Sequence, residues 1–267
     1  MAPIKLAISG VGGRMGSRIA TKALEDRKFF QVVGALESPG HPTLGEDLGR
    51  SLRRDTTQVV ITDDVESALV NAQVLIEFTN PTATIEHARI AARHGVKMVI
   101  GTTGLTEIQF QELKRLARKI PILHSPNMSF GVYIFRRAIR EVASSYKRLG
   151  SRSLKIDIVE THHKMKKDKP SGTAKQLRDD VQAILVEKEI KIHSRREGDV
   201  IGEHSVKFVA GDDELEFTHR ATSRDIFVKG ALFAAILVDM VRRPKLYTMD
   251  LLWDLVKTSN QRLKYAT

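Results

Sequence analysis

Two adjacent histidines, a cluster of lysines and a Pro-Ser-Gly-Thr run follow one another in the stretch Glu160-Thr161-His162-His163-Lys164-Met165-Lys166-Lys167-Asp168-Lys169-Pro170-Ser171-Gly172-Thr173-Ala174. Imidazoles exchange protons near neutral pH, and lysine ammonium groups hold carboxylates. Ser171 is placed to cap a helix, and a helix start offers an anion its open N–H donors and the positive end of its dipole. A solvated basic loop beside a capped helix is the alternative. The contiguity of the three features favours a site for an anionic small molecule. The histidines lack a carboxylate-rich ligand set at suitable spacing, so no metal site is expected.

A second cluster lies near the start of the chain, in Gly10-Val11-Gly12-Gly13-Arg14-Met15-Gly16. A strand precedes it and a helix with Ile19, Ala20, Ala23 and Leu24 on one face follows, the context that a dinucleotide-binding turn requires. Glycine lets the turn close tightly and lets a pyrophosphate approach bare backbone. The next strand, Gln31–Leu36, ends at Glu37, twenty-one residues after Gly16. A carboxylate at that distance can bind the hydroxyls of an adenosine ribose.

The elements that must position these clusters read in two grammars. From residue 4 to Asn127, strands alternate with helices: strands at Ile4–Ser9, Gln31–Leu36, Gln58–Thr62, Val74–Phe78, Lys97–Ile100 and Ile120–Leu123, helices at Asp64–Asn71, Thr82–His94 and Thr106–Arg118. That alternation predicts an α/β domain with a doubly wound parallel sheet over residues 1–127. Ligands of such sheets lie outside the carboxyl ends of the strands, where Glu37, Phe78-Thr79, Gly101-Thr102-Thr103 and Asn127 all fall. After a helix around Ser129–Ser145 the pattern changes. One strand, 154–160, and one helix flank the histidine stretch, and alternating runs at Gly202–Val209 and Glu214–Ala221 read as an antiparallel hairpin. A second, α+β domain with a mixed or antiparallel sheet is therefore expected over 128–225. The tail returns to helix at Phe227–Val241 and Tyr247–Val256, the latter carrying Trp253. It either completes the first domain, as 226–267, or serves a subunit interface.

Composition narrows the class. The 267 residues are 42% hydrophobic and 28% charged, which is ordinary for a folded soluble protein. The absence of cysteine rules out disulfides, thiolate metal sites and a cysteine nucleophile, and suits a reducing cytoplasm. The longest apolar run, Gly230–Val238, is too short to span a bilayer, and no signal-peptide form is seen at the N-terminus. A net charge of +11 is spread along the chain with few aromatics among the basic residues. That argues against a nucleic-acid partner and is explained equally by solubility or by attraction of anionic ligands.

The combination of the glycine turn, Gly101-Thr102-Thr103-Gly104 and Glu-x-His-His-x-x-Lys-x-Asp-x-Pro-Ser-Gly-Thr-Ala resembles the dihydrodipicolinate reductase family, also called 4-hydroxy-tetrahydrodipicolinate reductase. The resemblance covers nearly the whole chain, including Thr222-Ser223-Arg224. It implies a cytoplasmic homotetramer with an N-terminal Rossmann domain and a C-terminal domain for substrate and oligomerisation. The implied activity is reduction of a dehydrated cyclic imine dicarboxylate by NADH or NADPH, in lysine and diaminopimelate synthesis. By position, Gly10, Val11, Gly12, Gly13, Arg14 and Met15 should hold the pyrophosphate and Glu37 the ribose. Gly101, Thr102 and Thr103, with Ser125, Pro126, Asn127 and Met128, should line the nicotinamide side. His162 takes the role of proton donor/acceptor and Lys166 that of proton donor, while His163, Gly172 and Thr173 match substrate-binding positions. For His163, a loop-bracing role stands beside direct contact. Lys164, Lys167 and Lys169 are expected to be solvated.

Three departures from the family pattern bear on function. Ser38 follows Glu37 where many relatives carry an arginine able to embrace a 2′-phosphate. Glu37 should repel that phosphate, so NADH is expected to be preferred, with NADPH tolerated through Arg14. Met165 and Lys169 replace residues usually polar and small, respectively. The segment between Lys191 and Gly202 is shorter than in many relatives, in a region tied to subunit contact. Other readings of the chain are an aspartate-dehydrogenase-like oxidoreductase, a non-catalytic NADH-sensing protein and a basic nucleic-acid binder.

Overall fold

Leu6–Ser9 and all of Val74–Glu77 are buried, so these strands are covered on both faces, as strands of a parallel sheet between helix layers must be. The computed structural model describes residues 2–150 and 153–251. In chain order, β1 (Ile4–Ser9) passes through the glycine turn into α1 (Gly16–Glu25), whose buried Gly16, Ile19, Ala20 and Ala23 recur at helical spacing. Then come β2 (Phe30–Leu36), α2 (Leu48–Ser51), β3 (Ile61–Thr62), α3 (Val65–Leu69) and β4 (Val74–Glu77). Next are α4 (Pro81–His94), β5 (Lys97–Ile100), α5 (Glu107–Leu116) and β6 (Ile122–His124). Helix α4 has Asn80 as its N-cap, Pro81 in its first turn and Gly95 in the left-handed region at its end.

The chain continues through α6 (Phe130–Leu149), β7 (Lys155–His162), α7 (Gly172–Gln182), β8 (Ile190–Arg196), β9 (Glu203–Ala210) and β10 (Asp213–Arg220), and ends in α8 (Asp225–Met240) and β11 (Leu246–Tyr247). Contacts divide it into two units: one runs to Met128 and resumes at Phe227, and the other is Ser129–Ile226.

The first unit holds a seven-stranded sheet in the order β11-β6-β5-β4-β1-β2-β3, with every pair parallel. Apart from β11 this is the doubly wound dinucleotide-binding order. In α8, a Cβ at Gly230 would lie 1.7 Å from the Met128 carbonyl oxygen, so only glycine permits that approach. Among the described residues, no helix is long and apolar enough to cross a membrane.

The second unit is a four-stranded sheet, β10-β9-β7-β8, in which only β7 and β8 run parallel. Helices α6 and α7 supply Phe135, Ile139, Ala174, Leu177 and Val181 to a core that Ile156, Ile158, Val206 and Phe208 complete from the strands. The expected fold class is thus the observed one, an α/β doubly wound sheet plus an α+β unit with a mixed sheet.

Three strands differ most from their sequence expectation. The strand expected at Gln58–Thr62 shrinks to β3, because Asp47 accepts hydrogen bonds from the backbone of Thr57 and Gln58 and draws them into a loop. Gln58 takes a φ of 63° there, outside any strand conformation. Strand β8 occupies a segment for which no element was expected. Tyr247, expected to open a helix, instead pairs with Leu123 in the short strand β11; helix begins at Met249, and Trp253 and Val256 lie outside the described residues.

Candidate active site

Strand β7 buries alternate residues: Ile156, Ile158, Glu160 and His162 share one face. The first two join the apolar core and the last two turn its end polar. Register brings partners to them: His204 of β9 lies opposite Glu160, while Ser194 and Arg196 of β8 pair with Glu160 and His162. Glu160 has no exposed surface. Its Oε2 meets Nδ1 of His162, and its Oε1 accepts from Arg196 Nη1 at 2.9 Å and from the Ser171 backbone N–H at 3.3 Å. Burial by itself raises the affinity of Glu160 for a proton. Hydrogen bonds from Ser194 and Arg196 and the charge of His162 outweigh it, so the carboxyl is held below its ordinary pKa. For His162, burial is the largest influence and lowers the pKa; Glu160 pulls it back up, Lys166 and Arg196 push it down, and the net shift is downward.

The His204 ring stands edge-on to that of His162 with centroids 5.1 Å apart, and its Nε2 lies 3.4 Å from Ser171 Oγ. Its Nδ1 is buried and without a partner. Burial, followed by the charge of His162, drives His204 down to a pKa of about 3. Glu160, His162 and His204 can bring one ligand atom each within 4.8 Å of one another. The guanidinium of Arg196 and the ammonium of Lys166 put positive charge on the same cluster, which opposes a cation there.

The loop after β7 is fastened by Arg196, which donates to the carbonyls of Lys166 and Asp168 at 3.4 and 2.6 Å. Lys166 Nζ lies 2.7 Å from Asp168 Oδ1, and the Gly172 backbone N–H also bonds the Asp168 carboxyl. Burial would raise that carboxyl, but these donors, Lys166 foremost, hold it below its ordinary value. Ser171 caps α7, its Oγ accepting from Ala174 N at 3.1 Å, and the Lys169–Pro170 bond before it is cis. Gly172 is exposed and Thr173 half-buried. His163 is half-buried, and its backbone carbonyl accepts from Lys166 N at 3.1 Å in a turn of the loop. Lys164, Lys167 and Lys169 are exposed.

The first unit gathers the other expected residues at the carboxyl ends of its strands. The glycine turn closes with Gly13 N donating to the Gly10 carbonyl at 2.9 Å, while Gly10 and Val11 donate to Leu36. Gly10 has a φ of 74°. A Cβ on Gly16 would fall 2.0 Å from the Gly10 carbonyl oxygen, so helix and turn touch where only glycine fits. The N-cap of α1, Met15, gives no side-chain hydrogen bond. Glu37 reaches back across the turn, its Oε2 accepting from Gly12 N at 2.8 Å while Oε1 accepts from Ser38 N at 2.8 Å. Arg14 is exposed beside them. Ser125 N bonds the Ile100 carbonyl at 3.1 Å, Ser125 Oγ donates to the Asn127 carbonyl at 2.6 Å, and His124 Nε2 lies 3.1 Å from the Thr102 carbonyl oxygen, so Gly101–Thr103 and Ser125–Met128 form one patch. Pro126 and Thr103 are exposed, and Met128 is buried. The Thr102 hydroxyl is engaged by Thr84 at 2.8 Å and by Thr79 N at 3.2 Å.

Sequence reasoning gave no role to Glu160, Arg196 or His204, nor to the buried Glu77. That carboxylate bonds His87 at 2.7 Å, Thr84 at 3.3 Å and Thr79, beneath the loops at the ends of β4 and β5. Burial lowers the His87 pKa and Glu77 more than reverses this, so the ring is held above its ordinary value. A buried acid closing an otherwise apolar strand was the available signal for Glu77. For Glu160 it was the two-residue spacing to His162.

A doubly wound parallel sheet whose first strand runs through a glycine turn into a helix defines a dinucleotide-binding class of fold. Comparison with known proteins narrows this. Residues 4–128 match the family model described as dihydrodipicolinate reductase, N-terminus, and residues 131–252 match dihydrodipicolinate reductase, C-terminus. A 4-hydroxy-tetrahydrodipicolinate reductase of Citrifermentans bemidjiense is 36% identical, over 92% of this chain and 97% of its own length. One from Desulfotalea psychrophila is 39% identical over 86% of this chain and 91% of its own length. The solved structure of dipicolinate-bound dihydrodipicolinate reductase from Paenisporosarcina sp. TG-14 has the same fold. It aligns with a TM-score of 0.73 at 24% identity, over 92% of this chain and 97% of that one.

The chain belongs to the dihydrodipicolinate reductase family. It is an NAD(P)H-dependent oxidoreductase of lysine and diaminopimelate biosynthesis that reduces 4-hydroxy-tetrahydrodipicolinate, by way of its dehydrated form, to tetrahydrodipicolinate. This reading is favoured over the aspartate-dehydrogenase-like and cofactor-sensing alternatives.

Proposed function

We propose that the second unit grips the doubly charged heterocycle at the loop between β7 and α7 and protonates it there. The observation that carries this is Asp168: its carboxyl is already held by the Lys166 ammonium and the Gly172 N–H, the same donors a substrate carboxylate needs. His163 and Thr173 complete the binding set. The first unit holds the cofactor. Its glycine turn and uncapped α1 start fit a pyrophosphate, and the acceptor oxygens of Glu37 fit ribose hydroxyls. The patch formed by Gly101–Thr103 and Ser125–Met128 fits the nicotinamide side. Bound NAD(P)H supplies the hydride. The chain supplies what that transfer leaves wanting, because the reduced ring carries negative charge toward its nitrogen, and Lys166 and His162 neutralise it with a proton.

NADH is the preferred cofactor. Glu37 repels a 2′-phosphate, Ser38 offers it no cation, and Arg14 alone remains for NADPH. The enzyme works as a homotetramer in the cytoplasm, in keeping with the family resemblance. Among the described residues β10 and β8 each have a neighbour on one side only, which leaves sheet edges available for assembly.

The test is a coupled assay in which synthase product, made from pyruvate and aspartate semialdehyde, is supplied and loss of NADH absorbance is followed. Turnover is expected with a lower KM for NADH than for NADPH; the reverse order refutes the Glu37 assignment. Lys166→Ala and His162→Ala should each lower kcat by 10²- to 10⁴-fold, roughly 3–5 kcal/mol of barrier, with NADH affinity retained. Unchanged kcat in both would defeat the proton roles.

A further inference from the structure

Glu160 takes no part in the reaction as described, yet it is wholly buried, charged and two residues from the proton-handling histidine. We propose that Glu160 is a positioning residue that fixes His162 with its Nδ1–H toward the carboxylate, leaves Nε2 as the nitrogen that exchanges protons with substrate, and ties that ring to the start of α7. The proposal rests on the proton role assigned to His162 above.

Three observations carry it. An ionised carboxylate only accepts hydrogen bonds, so the ring nitrogen facing Glu160 Oε2 must be the donor. In the neutral ring Nε2 then keeps its lone pair, and in the charged ring it carries the transferable proton. Second, the carboxylate cannot swing away, because Arg196 at 2.9 Å and Ser171 N at 3.3 Å hold its other oxygen. Ser171 is also the cap of the helix start proposed to take the substrate carboxylate, so one buried acid sets both the proton source and the anion seat. Third, no side chain at position 202 crowds Nε2. A Cβ on Gly202 would stand 3.2 Å from His162 Nε2 and 3.5 Å from its Cδ2. Glycine therefore leaves room where a reacting group has to come.

The groups that face His162 are Glu160 on its own strand, Arg196 on β8, His204 on β9 and Lys166 from the loop. Of these only Glu160 is an anion, and Lys166 and Arg196 both disfavour the imidazolium. Removing the charge of Glu160 must therefore make the ring harder to protonate. During turnover the Nε2–H bond breaks as the proton passes to the reduced substrate, and solvent reloads the ring.

Full-length wild type, Glu160→Gln, Gly202→Ala and His162→Ala are compared by steady-state kinetics and by ¹⁵N NMR of the histidine rings. In wild type, His162 should show the Nδ1–H tautomer. Glu160→Gln should shift its titration midpoint to lower pH and reduce kcat at least about tenfold, with NADH affinity unchanged. Gly202→Ala should keep tautomer and midpoint while kcat/KM falls by a similar factor. Should Glu160→Gln fail to fold, Glu160→Asp keeps the charge and withdraws it by one methylene; it should lower kcat with the midpoint near that of wild type. Wild-type kcat in Glu160→Gln or Glu160→Asp, wild-type kcat/KM in Gly202→Ala, or an Nε2–H tautomer in the wild-type enzyme, overturns the proposal. Retained kcat in His162→Ala would instead remove the proton role on which it rests.

Discussion

His204 stays uncharged in the folded chain through the pH range in which an unfolded histidine protonates, because burial holds it at a pKa of about 3. Between the unfolded value near 6.5 and that folded value, the unfolded chain binds the extra proton. Its contribution to stability is thus complete above about pH 6.5 and is lost as pH falls, at up to about 1.4 kcal/mol per pH unit. Urea titrations at pH 7 and pH 5 should show the drop, and His204→Gln should shallow it; an unchanged slope would count against a neutral buried ring. The chemistry of Glu160, His162, Arg196 and His204 depends on strand register, which is why it was only partly legible. His162 and Lys166 stand out by type and spacing within one loop. Arg196 and His204 reach the same point from strands 34 and 42 positions beyond His162, and nothing local to either marks it.

At the scale of elements, the start of α1 is set by contact as much as by propensity. A methyl group on Gly16 would lie 2.0 Å from the Gly10 oxygen and 2.5 Å from its carbonyl carbon, neither of which can yield without moving the turn. Gly16→Ala should therefore shift the helix start off the turn and weaken NADH binding at least about tenfold, read by fluorescence titration. Binding of wild-type strength would remove α1 from the proposed cofactor seat. The βα alternation of the first unit was legible because long apolar runs separated by capped helices admit few other readings. Strand β8 was not, because its Ile190-Lys-Ile-His-Ser-Arg-Arg sequence buries no residue fully, and an edge strand gives a weak alternation. Strand β11 is two residues long and follows no apolar run; only its pairing with β6 identifies it.

At the scale of the molecule, each unit has its own sheet and its own buried core. The proposed division of labour has a direct readout. NADH at about a hundred times its Kd stabilises the state that binds it by about 2.7 kcal/mol. Hydrogen exchange should then slow at the amides of β1, α1 and β2, with those of β9 and β10 at their unliganded rates. Protection confined to β9 and β10 would reverse the assignment of the units. The hairpin Glu203–Arg220 and the glycine turn were legible from local pattern, whereas the return of the chain to the first unit rests on the long apolar helix α8 finding a place to bury.

That return has a consequence for synthesis. The flank of β6 is covered by β11, whose residues leave the ribosome only after the whole of Ser129–Ile226 has been made. Until then β6, paired with β5 on one side, leaves its other edge open, with apolar residues at Ile122 and Leu123. The inserted unit, continuous in the chain, can close first, and the older half of the protein finishes folding last.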